Sequence, residues 1–502
     1  MTSIRRANIL SATAGSLVLP VVVLVTAVLV GMVTALVGSL AGYRAIYYVA
    51  VFGLIVVGGM VVIGRREPLR FAFLALIVSF PLASAIVPPG RLGLTIFDVV
   101  MIALMVGLIG KNVFASSKAS EPLFPTTSLL IAWLLSIPCV VFSQFPLTSL
   151  QTFIENFAVY IFFLFALNEL RRGGGVERLV LLFSIVLIFV AIGLFVDHFL
   201  HVNLSLRGSN LNQLSYAAGL EIWRAGGFFQ DPQSAGAFLA CIITFLLLLS
   251  VRGRFRGMRM RLVVWVAIAI GSVALVMTIS RSAILAFLFV SGITLFAFNK
   301  WNAATKLVIV VSVTFVAMVI ALTTTMETWL NIVPAAVAER FVTTRAAFDI
   351  RRMIWFDTWD MFADHPLTGI GFGSFQSYLI ASHPGVFNYY GIGGQAGISY
   401  VPNQPENGYL SILYEGGIAG SLAALLVAGD ALRRVISVVA SNHTSSDART
   451  EGIAALAGLI TFGATFLTLY TVNDERIAAT LAFLLAVVWH RSLQGPHGAR
   501  KA

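Results

Sequence analysis

Arginines set into apolar surroundings point most directly to chemistry in this chain. The run Thr278-Ile279-Ser280-Arg281-Ser282 lies between two hydrophobic stretches, which puts Arg281 at a tight outer turn near a membrane face. A cation placed there costs several kcal/mol unless it is paired or hydrated, so it is a functional candidate, with snorkelling to the interface as the plainer account. Arg345, Arg351 and Arg352 belong to a segment, 335–363, that reads as one helix. Arg345 and Arg352 are seven apart, as are Phe348 and Trp355, with Trp359 four further on. This spacing sets arginines on one stripe and aromatics on another. Arg224 precedes Gly226, Gly227 and Asp231-Pro232, where Asp231 is either the cap of a following helix or a catalytic acid. Glu406 stands where a long outer loop re-enters the membrane, and Glu415 lies about two turns deeper. Guanidinium forks grip phosphate oxygens in pairs. A carboxylate beside them serves as a general base or as a salt-bridge anchor.

Other chemistries find little support. The seven histidines are scattered and no H-E-x-x-H occurs, so no metal site is expected. The run Gly369-Ile370-Gly371-Phe372-Gly373 lacks the G-x-G-x-x-G spacing and a preceding strand, so it reads as a turn-rich link. Cys139 and Cys241 lie far apart in apolar runs and support neither a disulfide framework nor a thiolate site.

These residues need a scaffold, and composition says which kind. Of 502 residues, 58% are hydrophobic and 11% charged, with a mean hydropathy of +0.92. A soluble domain carries about 25% charged residues. A chain so poor in charge cannot cover a water-facing surface, which excludes an ordinary soluble enzyme, a disordered protein and a nucleic-acid-binding domain. The expectation is an all-α polytopic membrane protein. Apolar runs of spanning length fall at 10–37, 43–63, 69–87, 93–110, 126–142, 152–170, 179–200, 233–251, 262–279, 282–299, 305–323, 408–428, 452–472 and 475–490, giving 12–14 spans. With the N-terminus cytoplasmic, 23 of the 33 Lys and Arg residues fall inside, although the two longest loops fall outside. The net charge of +11 is thereby accounted for by loop retention, and both termini are expected in the cytoplasm. Every basic residue left outside is arginine.

The chain reads as a single membrane domain, 1–502, with an outer loop at 201–232, a larger one at 324–407, and C-terminal spans with a cytoplasmic tail at 408–502. Trp329, Trp355, Trp359 and several phenylalanines make the larger loop too aromatic to stay disordered in water. Its helix is expected along the membrane surface, aromatic face down, and its arginines bind either a substrate or lipid phosphates.

Three stretches resemble the O-antigen ligase and polymerase (Wzy/WaaL-like) superfamily of bacterial membrane glycosyltransferases. Ser280-Arg281-Ser282-Ala283 is similar to its serine-arginine motif. Arg351/Arg352, Trp355 and Asp364-His365-Pro366-Leu367-Thr368-Gly369 through Phe375 resemble its large periplasmic loop. Glu406-Asn407-Gly408-Tyr409-Leu410 through Gly420 resembles the loop exit, and Gly226 to Pro232 a weaker upstream motif. Many family members have histidine where this chain has Glu406, and that departure favours a polymerase over a ligase.

The resemblance implies a GT-C-like fold in the bacterial inner membrane and a glycan donor on undecaprenyl pyrophosphate. Arg281, Arg345, Arg351, Arg352 and Arg224 would bind the pyrophosphate. Glu406 would deprotonate an acceptor-sugar hydroxyl, with inversion and without a metal or other cofactor. Trp355, Asn407 and Tyr409 would contact sugar, with Tyr389 and Tyr390 as further stacking candidates. Implied partners are the lipid-linked oligosaccharide, the acceptor glycan, the bilayer, and chain-length regulator or export proteins. The alternatives are an O-antigen ligase acting on lipid A–core and a polysaccharide flippase or transporter.

Overall fold

A computed structural model describes residues 68–83, 95–114, 125–201, 204–205, 214–217, 220–255, 257–298, 344–382, 404–440, 445–468, 472 and 474–493. The expected spans 10–37, 43–63 and 305–323 lie outside these residues, as do Tyr389, Tyr390 and the first part of the 335–363 helix.

The described chain runs α1 (Pro68–Val78), α2 (Phe80–Ala83), α3 (Ile96–Phe114), α4 (Thr127–Val141), α5 (Pro146–Arg171) and α6 (Gly175–Leu200). A hairpin of β1 (Leu214–Ala217) and β2 (Leu220–Trp223) follows, paired antiparallel with Leu214 opposite Trp223. Then come α7 (Pro232–Val251), α8 (Met258–Met277), α9 (Arg281–Phe298), α10 (Thr344–Asp364), α11 (Phe375–Ser382), α12 (Gly408–Ala440), α13 (Ser446–Phe466) and α14 (Glu475–Leu493). Apart from the hairpin, the described elements are helices. Six of them, α5, α6, α7, α8, α12 and α14, are long and apolar enough to cross a bilayer. The chain is a multi-pass membrane protein. The run expected as one span at 69–87 is interrupted at Ser79, because Pro81 has no N–H for the Ile77 carbonyl and its ring crowds it.

α7 is apolar on every face and buried along nearly all its length, the pattern of a helix ringed by others. Around it, α12 packs on α4, α14 on α5, α8 on α6 and α13 on α7. Phe183 of α6 stacks on Phe483 of α14 at 4.3 Å, and Phe245 of α7 meets the same ring edge-on at 5.4 Å. Such pairs add about 0.5–1.5 kcal/mol each beyond burial. Leu262 and Val276 of α8, Leu288 and Phe289 of α9, and Leu425 and Ile436 of α12 point outward, an apolar exterior that fits lipid.

Ion pairs tie the helices at one end. Buried Glu169, at the end of α5, binds Arg70 of α1 at 2.7 Å and also meets Arg178 of α6. Arg254 binds Glu177 of α6 at 2.7 Å and Glu451 of α13 at 2.5 Å, and Arg491 of α14 joins Glu451. Arg224, Arg281 and Arg351 fall at the opposite ends of the described helices.

α12 is broken. Gly417 adopts φ 59° and ψ −155°, a backbone that L side chains rarely adopt. The segment after α10 closes the gap. Ile370 N–H donates to the Tyr414 carbonyl (3.0 Å) and Gly371 N–H to that of Glu415 (2.9 Å). In return Ile418 and Ala419 N–H donate to the Pro366 and Leu367 carbonyls at 2.8 and 3.0 Å. Unpaired backbone groups in a bilayer cost several kcal/mol each, so a broken helix survives there only with such partners. The Ile370 carbonyl accepts from Gln144 N–H at 3.0 Å and from the Ser143 hydroxyl at 3.1 Å, and that of Phe372 accepts from Ser149 at 3.2 Å. Gly371 has φ 110°, and a Cβ there would run into the hydroxyls of Ser143 and Ser149. The glycine run expected as a simple link is thus the plug of a helix break, and it docks α10 on α12.

Candidate active site

Four separated segments meet at the N-terminal end of α7. The first follows the hairpin. Asp197, buried near the end of α6, accepts from Trp223 Nε1 (2.7 Å), Gly226 N–H (2.8 Å) and Gly227 N–H (2.6 Å). Three donors on one carboxylate fix the backbone on both sides of Arg224, which is itself buried. Ala225 N–H reaches the Met277 carbonyl at 3.4 Å, tying this segment to the turn before Arg281.

That turn is the second segment. α8 stops at Met277 and α9 begins at Arg281, as expected from the flanking apolar runs. Thr278 Oγ1 donates to the Leu275 carbonyl (2.7 Å) and accepts from Ser280 N–H (3.2 Å). Ile279 is left with φ 50°. A β-branched residue in the left-handed region is strained by about 1–3 kcal/mol and persists only where its surroundings enforce it.

α10 and the loop exit are the third and fourth. Arg351 Nη2 donates to Glu406 Oε2 at 3.1 Å, and Trp355 Nε1 donates to the Pro405 carbonyl at 2.9 Å. Glu406 has φ 54°; with Ile279 and His201 it completes the non-glycine residues of positive φ among those described. All three border this end of the bundle, since His201 stacks on Trp223 at 5.2 Å. Asn407 caps α12, its Oδ1 accepting from Tyr409 and Leu410 N–H at 3.0 and 3.2 Å. Tyr409 hydroxyl donates to the Gly463 carbonyl at 2.9 Å and its ring meets Phe466, which fastens α12 to α13.

The charges act on one another as a cluster. Arg224 feels Asp231 and Glu406 as counter-charges and Arg281 and Arg351 as like charges. Arg281 and Arg351 repel directly. Burial is the main influence on Glu406, raising its pKa above the ordinary carboxylate value, with Arg351 pulling the other way and Asp231 adding to the rise. Asp231 is pushed up by burial, against the pull of Arg224. Three cations packed this closely around two acids suit an incoming polyanion. Among the described residues no group of three His, Cys, Asp or Glu side chains is placed to hold a metal.

The structure brings together Arg224, Arg281, Arg351 and Glu406, with Trp355 beside them. Arg352 is exposed on the far side of α10, and Arg345 is one to two turns earlier on the same helix. The helix does not separate arginines from aromatics. Its buried stripe is Ile354, Thr358 and Met361, whereas Arg352, Phe356 and Trp359 share the exposed face. Asn407 and Tyr409 have structural contacts of their own.

Two positioning groups were not singled out from sequence. One is Asp197. The other is Arg476, 1% exposed, which binds Asp474 through Nε (2.8 Å), donates from Nη1 to the Phe228 carbonyl (2.8 Å) and lies 3.8 Å above the Phe229 ring. It fastens the Gly226–Asp231 loop to the start of α14. Ionisable residues beside apolar runs are the signal that would have found both.

No curated protein matches the chain. A family model described as O-Antigen ligase matches residues 266–425. The match takes in Arg281, α10, the glycine plug and Glu406, and leaves Asp197, Arg224, Asp231 and Arg476 outside it. Through residues 266–425, the chain is similar to the O-antigen ligase family.

Proposed function

We propose that the protein is a bacterial surface-polysaccharide polymerase, of exopolysaccharide or O-antigen type, transferring glycan from an undecaprenyl-pyrophosphate donor to an acceptor-sugar hydroxyl. The observation that carries this reading is the meeting of Arg224, Arg281, Arg351 and Glu406 at one end of the bundle. In this reading that end is periplasmic, both termini are cytoplasmic, the fold is GT-C-like with about 14 spans, and the chain is one inner-membrane domain.

Without donor, Arg351 neutralises Glu406. A diphosphate entering from the bilayer competes for Arg351 and joins it to Arg224 and Arg281, and Glu406 is released to act. Its carboxylate then takes the proton of the acceptor hydroxyl. The hydroxyl oxygen forms the new bond to the anomeric carbon from the face opposite the diphosphate. The anomeric C–O bond breaks, its electron pair stays on the diphosphate, and configuration inverts. Guanidiniums already aimed at the departing oxygen stabilise that charge without reorganising, which in a water-poor site is a large share of catalysis. Arg345 and Arg352 would meet headgroups or donor farther out.

A ligase reading is favoured by the description of the matching family; it keeps the donor and changes the acceptor. Deletion followed by analysis of the polysaccharide separates the readings. Single repeat units on the lipid carrier identify a polymerase, and long chains stranded on the carrier a ligase. Units trapped in the cytoplasmic leaflet identify a flippase and end the glycosyltransferase reading.

A further inference from the structure

Asp231 and Ser280 hold unused hydrogen-bonding capacity beside the arginines. Asp231 is 9% exposed and Ser280 2%. Asp231 Oδ1 and Ser280 Oγ each close no hydrogen bond. Asp231 stands at the N-cap of α7, where its carboxylate feels the Gln233 and Ser234 amides, yet Oδ1 is left without a hydrogen bond. Ser280 packs on the same helix just beyond, where a Cβ on Gly236 would lie 2.7 Å from its Cβ and 3.1 Å from its Oγ. Both are held firmly: Ser280 by the Thr278 turn, and Asp231 by a loop that Asp197 fixes at one end and Arg476 at the other. Buried polar atoms are nearly always satisfied, and those that are not call for a partner that arrives later.

We propose that Asp231 and Ser280 form a hydroxyl-binding subsite that grips the sugar ring next to the diphosphate. A pyranose bears vicinal hydroxyls: one can donate to Asp231, and its neighbour can exchange a bond with Ser280. Diphosphate oxygens only accept, so anionic Asp231 repels them and Arg224 and Arg281 take them instead. The subsite thereby sets which end of the donor lies where, and makes the carbohydrate part of recognition. This rests on the lipid-diphosphate reading above and assigns a separate role to two residues beside that clamp.

The test compares two affinities on the full chain purified in detergent, by native mass spectrometry. The probes are undecaprenyl diphosphate and undecaprenyl diphosphate bearing glucose or galactose. Wild type is expected to bind one glycosylated probe about 10–100-fold more tightly than the bare lipid, the range for hydrogen bonds to a charged group. Asp231→Asn, which keeps the shape and remains a good N-cap, should bring that ratio near one, and Ser280→Ala should lower it in part. Arg281→Lys should weaken both probes and leave the ratio intact. The ratio is insensitive to the charge Asp231→Asn removes, and it is read only on folded protein. A wild-type ratio in Asp231→Asn, or no preference for either sugar in wild type, overturns the subsite while leaving the diphosphate clamp standing. Failure of wild type to bind the bare lipid overturns the clamp and the subsite together.

Discussion

Replacing Glu406 by glutamine removes one charge and little else, and its outcome separates a base from an anchor. The Arg351–Glu406 contact is 3.1 Å, with side-chain exposures of 27% and 15%. Breaking a fully buried pair costs about 3–5 kcal/mol, and an exposed one at most about 1. This partly wet pair should lie between them, near 1–3 kcal/mol, and glutamine keeps a carbonyl for Arg351 to bind, which favours the low end. The fold should survive. Loss of a general base costs about 10²–10⁴-fold in rate, or roughly 3–5 kcal/mol of barrier. We therefore expect transfer to fall by at least a hundredfold while the membrane level and melting temperature of the protein change little. The assay is polymer length on gels from membranes with equal amounts of protein, with melting followed in detergent. Activity within threefold of wild type would refute the base, and activity falling only in step with folded protein would identify an anchor. Acidity offers a second reading. Burial raises the Glu406 pKa above 4.5, so the acid limb of transfer should lie above that value and vanish in Glu406→Gln. The stability effect has the opposite sense. Between 4.5 and the higher folded value the native state holds more protons than the unfolded chain, so stability from this group falls as pH rises.

Arg281→Lys keeps the charge and loses the fork, and should slow transfer about 10–100-fold with normal membrane insertion; wild-type polymer would remove Arg281 from the clamp. Asp197→Asn turns an acceptor of three N–H groups into one that presents its own N–H. It should lower stability by about 1.5–3 kcal/mol and raise the donor KM more than it lowers kcat, and an unchanged KM would show that Arg224 needs no such support. Gly371→Ala sets a Cβ against Ser143 and Ser149 in a backbone of φ 110°, so detergent melting should fall markedly; an unchanged melting temperature would mean that the plug is not tightly seated.

What could be read from the sequence followed from hydropathy. The turn before Arg281 was legible because apolar runs flank it, and Glu406 because it precedes another run. Which face of α10 turns inward was not. Heptad spacing groups Arg345 with Arg352, but Ile354, Thr358 and Met361 seat the helix, and Arg351 is the arginine near that stripe. The break in α12 was hidden for a different reason. Its partners are backbone groups at 366–371, which bear no side-chain signature beyond the glycines themselves. Asp197 and Arg476 act on residues about 30 and 250 positions away respectively, so only a folded chain reveals them.

The donors that seal the α12 break have consequences for biogenesis. Ile370 and Gly371 leave the ribosome about 45 residues before the carbonyls they serve, a delay of roughly 2–9 s at translation speed. During that interval the Ile370 and Gly371 amides must find other partners, water among them. The final helix arrives later still, bringing the arginine that pins the Gly226–Asp231 loop. A nascent chain arrested before residue 474 therefore contains the whole family-matched stretch and yet lacks both Arg476 and the α14 face that packs on α5, so truncation should yield an inserted protein of lowered stability and no transfer activity.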